Sequence, residues 1–270
     1  MNAIDTKLRS LLEHLTLGPV VRPANLFEEK KAFLHPRSHR REKSPVFKYE
    51  NSPSQWNNFK PVLSLESMNA PDEVLEIYEE KQRELDMMRN MFAEVGKDGF
   101  TGFAIEIFGA PTDEDARQSR NVLEKLSDVT PPERNCSAKK FAGLLETRLK
   151  KIGISMNIKL VSSMATKVSV DSVSCTIQLN RNAFFANKEV KRLLVHEIDV
   201  HAVRIHNGSQ LPWGIFFMGT AGYREAEEGL AVFFERQSGR LYPFQEKIYA
   251  GRCLAVYLSL SAGFEEVFEE

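Results

Sequence analysis

Two histidines bracket a glutamate in His196-Glu197-Ile198-Asp199-Val200-His201, inside a run from Lys191 to Arg204 that has no glycine or proline and carries apolar residues at helical spacing. Two helical imidazoles four residues apart can hold zinc, with the carboxylate beside the first activating a water. Here they are five apart. On a regular helix, positions four apart are offset by about 40°, whereas positions five apart are offset by about 140° with roughly 7.5 Å of rise. Imidazoles at the wider spacing do not share one ion on an undistorted helix. The spacing therefore predicts a single π-type turn between Glu197 and His201, which absorbs one residue and is a feature of functional sites. The plain alternative is an ordinary helix with one buried and one exposed histidine.

A catalytic zinc site needs a third protein ligand and one open position. Downstream, Tyr223-Arg224-Glu225-Ala226-Glu227-Glu228-Gly229-Leu230-Ala231-Val232-Phe233-Phe234-Glu235 leads from glutamates into an apolar helix. A carboxylate on such a neighbouring helix would complete a His, His, Glu set. Spacing does not choose among Glu225, Glu227 and Glu228, and acidic residues at a helix start are favourable in themselves.

The pair "HEIDVH" and "EEGLAVFFE" resembles the His-Glu-x-x-x-His metallopeptidases named for a Gln-Glu-Gly-Leu-Ala motif, a family that includes the microtubule-associated tyrosine carboxypeptidases. The stretches Pro45–Tyr49, Ile105–Thr112, Asn207-Gly208 and Gly251–Tyr257 fit as well, so the resemblance covers roughly residues 25 to 270. It implies that His196, His201 and Glu228 are zinc ligands and that Glu197 is the general base. The motif's glutamine is Glu227 here, beside the ligand position. The chain stops at Gly263–Glu270 within an amphipathic pattern that has no capping or breaking residue. The expectation is a short member or one whose C-terminal part lies beyond residue 270.

The fold expected is α+β: mostly helical, with a small β-sheet in a zincin-like metallopeptidase domain. Residues 1–130 read as a mainly helical region with a basic loop at 35–45, and 131–270 as the catalytic region. Helices are expected over Thr6–Leu17, Asp72–Ala93, Thr112–Leu126 and Ala138–Ile152. Pro131-Pro132 marks a linker. Alternation predicts strands at Ser155–Val161 and a strand pair within Val168–Leu179. Asn187 is expected to cap the metal helix, and Asn207-Gly208 to end it as a glycine C-cap. The strand Cys175–Asn180, just before that helix, is a candidate edge for pairing with an extended peptide.

Composition narrows the partners. Hydrophobic residues make up 42% and charged residues 27%, ordinary values for a soluble domain. The apolar stretches are too short for a membrane span, and residues 1–9 have no signal-peptide core. Three cysteines, Cys136, Cys175 and Cys253, make no Cys-x-x-Cys pair. A reducing, cytoplasmic setting is the simple expectation. A net charge of −1 without interleaved aromatics argues against nucleic acid. The basic loop is a solvated segment or a docking patch for an acidic protein tail.

Lesser candidates complete the reading. Asp199 is either an outer acceptor for an imidazole N–H or an exposed helical carboxylate. His206 continues the five-residue spacing, but a third histidine ligand would need a second distortion. Tyr223 is a candidate oxyanion donor, and Arg204, Arg224, Arg240 and Arg252 are candidate cations for a substrate carboxylate. The function expected is a zinc-dependent peptidase, carboxypeptidase-like by resemblance, with one Zn²⁺ per chain and a peptide or protein substrate. The alternative is a regulatory protein that keeps a metal only for stability.

Overall fold

The computed structural model describes residues 2–15, 20–34, 44–49, 56, 60–162, 164 and 166–269, without the side chain of residue 67. Most of the basic loop, residues 35–43, lies outside them. The chain is α+β and mostly helical. It divides into two compact units, each built from separate stretches. Among the described residues, no helix is long and apolar enough to cross a membrane.

The first unit comprises 1–14, 62–82 and 130–245. Helix α1 is Ala3–His14, and α2, Leu26–Leu34, belongs to the second unit. Helix α3, Asp72–Ala93, supplies its beginning, through Gln82, to the first unit. After α4 (Phe100–Phe108) and α5 (Asp113–Lys125) come β1 (Cys136–Ser137) and α6 (Ala138–Ile152). Ser137 accepts from Lys140 N–H at the start of α6, and Gly153 ends that helix at φ 74°. Phe141, Leu145 and Leu149 recur every fourth residue, so they share one buried face of α6.

That face packs on a three-stranded sheet of β2 (Asn157–Val161), β3 (Val168–Asp171) and β4 (Thr176–Asn180), in the order β2-β4-β3. β2 runs parallel to β4 and β3 antiparallel to it. Ile177 and Leu179, two apart on β4, both face the core. Both edges of β4 are thus already paired, which removes Cys175–Asn180 as a docking edge for a peptide. β5 (Phe184–Phe185) pairs with β1, and Phe185 packs on Phe141 with ring centroids 4.8 Å apart. Ile198 and Ala202 of the metal helix close this core. Each large apolar side chain buried here contributes about 1.5–3 kcal/mol.

The helix that carries His196 and His201 is one continuous rod of α7 (Asn187–Leu193), a π segment (Leu194–Ala202) and α8 (Val203–Ser209). Its cap differs from the expectation: Ala186 is the N-cap residue, and its N–H is received by Glu189 Oε2 at 3.2 Å. A glutamate three residues into the helix thus does the work assigned to Asn187. Nor is Gly208 a terminator. It lies inside α8, where an added Cβ would fall 2.4 Å from the carbonyl oxygen of Phe216. Close approach of the α9 backbone (Ile215–Met218), not a turn, calls for glycine there. Helix α10 (Tyr223–Gln237) then packs along the π segment.

The second unit comprises 15–61, 83–129 and 246–270. It contains most of α11 (Pro243–Ser259) and all of α12 (Phe264–Glu269). Phe33 meets Phe264 and Phe268 edge-on at 5.1 and 4.8 Å. Thr112 and Asp115 form a capping box at the start of α5, where a helix is expected from Thr112. The three cysteines are free.

Candidate metal centre

Backbone bonding brings His196 and His201 together. Through the π segment each bond reaches one residue further than in an α-helix, and Val203 N–H donates to the carbonyl of Ile198, five residues back. The wider turn returns His201 to the face of His196, with ring centroids 4.9 Å apart and planes at 67°. The distortion spans nine residues rather than one turn. Each i to i+5 bond encloses several residues, so a few in succession occupy that length.

Ligand-capable atoms of His196, Glu197 and His201 lie within 4.8 Å of one another. From α10, the two carboxylate oxygens of Glu228 reach the same place, Oε2 3.4 Å from His196 Nε2 and Oε1 3.6 Å from His201 Nε2. Good charge-assisted hydrogen bonds measure about 2.7–2.9 Å. By contrast, donors at about 2.0–2.2 Å from a tetrahedral zinc stand roughly 3.3–3.6 Å apart. The His–Glu228 separations are therefore of the size expected for ligands of one metal ion, and the donor types suit zinc. Glu228 is exposed, so the cluster opens to solvent on its side, while Glu197 and His201 are each only 7% exposed.

Behind each imidazole stands a second carboxylate. His196 Nδ1 is 2.7 Å from Glu235 Oε1, which also accepts from Arg192 Nη1 at 2.5 Å. His201 Nδ1 is 3.2 Å from Glu227 Oε1, which also accepts from Arg204 Nε at 2.7 Å. Burial opposes charge on His196, but Glu228 and Glu235 outweigh it and raise its pKa to about 9 when no metal is bound. The neighbouring His196 imidazole leads in holding Glu228 below the ordinary carboxylate range when no metal is bound. Burial acts the other way on Glu197, pushing its carboxyl up against the pull of His196, His201 and Arg192.

The remaining candidates fall differently. Asp199 receives Arg148 through Nε at 2.9 Å and Nη2 at 2.7 Å, so it is a salt-bridge acceptor and not the orienter of an imidazole. His206 is absent from the metal-capable group found among the described residues. Arg204 is committed: besides Glu227 it donates to the Phe217 carbonyl at 2.6 Å and lies 4.9 Å from the centre of the Tyr223 ring. Tyr223 begins α10, and Lys81 stands 5.6 Å from its ring centre. Glu225 and Arg224 are exposed in the first turn of α10, and Arg252 is exposed on α11 in the other unit.

Glu235, the carboxylate behind His196, is the residue of this cluster that the sequence reading does not single out. Its signal was present: it lies seven residues after Glu228, two helical turns along the same face, as the one charge in an apolar stretch.

No curated protein and no solved structure matches this chain. A family model described as microtubule-associated tyrosine carboxypeptidase does match, over residues 31–270. That span takes in the π-distorted helix, both histidines and all of α10, and the chain belongs to this carboxypeptidase family.

Proposed function

We propose that the chain is a zinc-dependent carboxypeptidase that removes the last residue, tyrosine by its family's description, from a protein or peptide. The observation that carries this reading is that the Glu228 carboxylate lies 3.4 Å from His196 Nε2 and 3.6 Å from His201 Nε2, separations expected of donors sharing one ion. One zinc per chain, held by these three, supplies Lewis acidity at neutral pH. Glu197, buried beside the ligands, accepts a proton from the attacking water and returns it to the leaving amine. Its upward shift moves it toward the working pH of such a base. Tyr223, at the start of the helix that carries Glu228, is the candidate donor to the developing oxyanion. The family description names microtubules and tyrosine; an acidic tubulin tail in the cytoplasm is the substrate and setting that we infer from it.

The test combines zinc content with mass spectrometry on acidic peptides ending in tyrosine. Wild type should carry about one zinc and shorten each peptide by one residue. Glu197→Gln should keep its zinc and cleave about 10²–10⁴-fold more slowly, the usual size of a general-base contribution. Internal cuts would replace the carboxypeptidase reading with an endopeptidase. Bound zinc with no cleavage of any peptide would favour the metal-stabilised regulatory protein.

A further inference from the structure

The carboxylates behind the imidazoles are not equivalent. Glu235 is 0% exposed, and a single oxygen, Oε1, takes both the His196 Nδ1 contact at 2.7 Å and the Arg192 donor at 2.5 Å. Glu227 makes the looser version of this arrangement, 3.2 Å from His201, at a partly buried position. A buried carboxylate needs a partner, and Arg192 alone would satisfy that need. Spending the same oxygen on the imidazole is unnecessary for an ion pair. It has one chemical consequence: Nδ1 must carry the proton, and Nε2, which faces Glu228 and His201, is left with its lone pair for a metal.

We propose that Glu235, neutralised by Arg192, is a positioning residue of the metal centre that fixes the ring and tautomer of His196. It touches neither substrate nor metal and acts through His196. Arg192 is three residues after Glu189 on α7 and one turn before His196, so the metal helix carries both the ligand and the cation for its orienter. Helix α10 carries the ligand Glu228 and, two turns on, the orienter. The two helices thereby lock one another at the site through Arg192, Glu235 and His196.

This inference rests on the zinc reading above, and its test separates the two. Zinc affinity is measured by competition with a chromophoric chelator for wild type and Glu235→Gln, alongside the melting temperature of each protein without metal. Two-bond proton–nitrogen NMR on zinc-loaded, histidine-labelled wild type reports which nitrogen of His196 carries the proton. The expected result is a 10–100-fold loss of zinc affinity in Glu235→Gln, as for other outer-shell partners, alongside a lower metal-free melting temperature from the broken buried pair with Arg192. In wild type, His196 should show a protonated, strongly downfield Nδ1–H and a metal-bound Nε2. Unchanged zinc affinity in the variant would overturn the proposal, as would zinc bound through Nδ1 in wild type. Should Glu235→Gln fail to fold, the wild-type tautomer decides by itself. Wild type that takes up no zinc removes the zinc peptidase reading, and this proposal with it.

Discussion

At the scale of single residues, what could be read from sequence depended on whether partners lie close along the chain. His196, Glu197 and His201 are legible because one helix carries all three. Glu228 was one of three equivalent glutamates until the resemblance singled it out, since nothing in Glu225-Ala226-Glu227-Glu228 says which carboxylate faces another helix. Asp199 shows the reverse error: proximity to His201 suggested an orienter, but Arg148, 51 residues earlier, claims its carboxylate. The charge pattern at the site gives a pH prediction. Because the folded pKa of His196 lies near 9, above the ordinary 6.5, its protonation stabilises the metal-free protein fully below about pH 6.5. That stability is lost as pH rises toward 9. Melting of the metal-free protein should therefore fall between pH 6.5 and 9. Zinc-saturated protein, whose imidazoles are already deprotonated by the metal, should be flat over the same window. Parallel curves would show that His196 does not gain its proton-binding partners on folding.

Among the elements, the strongly periodic ones were the legible ones. Asp72–Ala93 and Ala138–Ile152 occur with the expected bounds, because each repeats buried positions at helical spacing over several turns. The π segment was legible for a different reason, since two histidines five apart are chemically useful together only if the helix widens. Its nine-residue extent was not, because backbone bonding leaves no composition signal. Gly208 was misread because a glycine near a helix end usually means a cap, whereas here it admits the backbone of Phe216. Substituting alanine tests this. Gly208→Ala should destabilise by about 1–3 kcal/mol, the cost of forcing a methyl into a filled space, measured by urea unfolding. A change within about 0.5 kcal/mol would instead place Gly208 at an open position. Deleting Val200 is more severe. It restores four-residue histidine spacing but rotates everything after it by about 100°, so Arg204 leaves Glu227 and α8 leaves α9. The deletion should abolish zinc binding; a variant that still binds zinc tightly would show that the π segment is dispensable.

At the scale of the whole chain, sequence suggests a linker at Pro131-Pro132 but is silent on the company that distant segments keep. Nothing local announces that residues 1–14 and 62–82 belong to the same compact unit as the metal helix. Long-range pairings of this kind arise from shape and burial, which composition does not encode. The link can be followed atom by atom. Asp5 on α1 is 0% exposed and accepts a short hydrogen bond from the Tyr78 hydroxyl on α3. The same carboxylate abuts Gly214, where an added Cβ would sit 2.9 Å from its Cγ, and Gly214 is the N-cap residue of α9. The α9 backbone in turn presses on Gly208 of α8, behind the histidines. Burial and the Asp5 contact push the Tyr78 hydroxyl well above its usual pKa, so it stays a donor at any physiological pH. Removing Asp5 leaves the buried hydroxyl proton without its acceptor, and Asp5→Ala should cost about 1–3 kcal/mol. Zinc identifies which unfolding transition to watch, since a ligand at 100 times its Kd adds about 2.7 kcal/mol to the unit that holds it and none to an independent one. In the zinc-shifted transition, Asp5→Ala should lower the midpoint by the same free energy with and without metal, because Asp5 touches no ligand residue. A penalty that appears only in the zinc-loaded protein would mean that Asp5 sets the geometry of the metal centre as well as the stability of the unit that carries it.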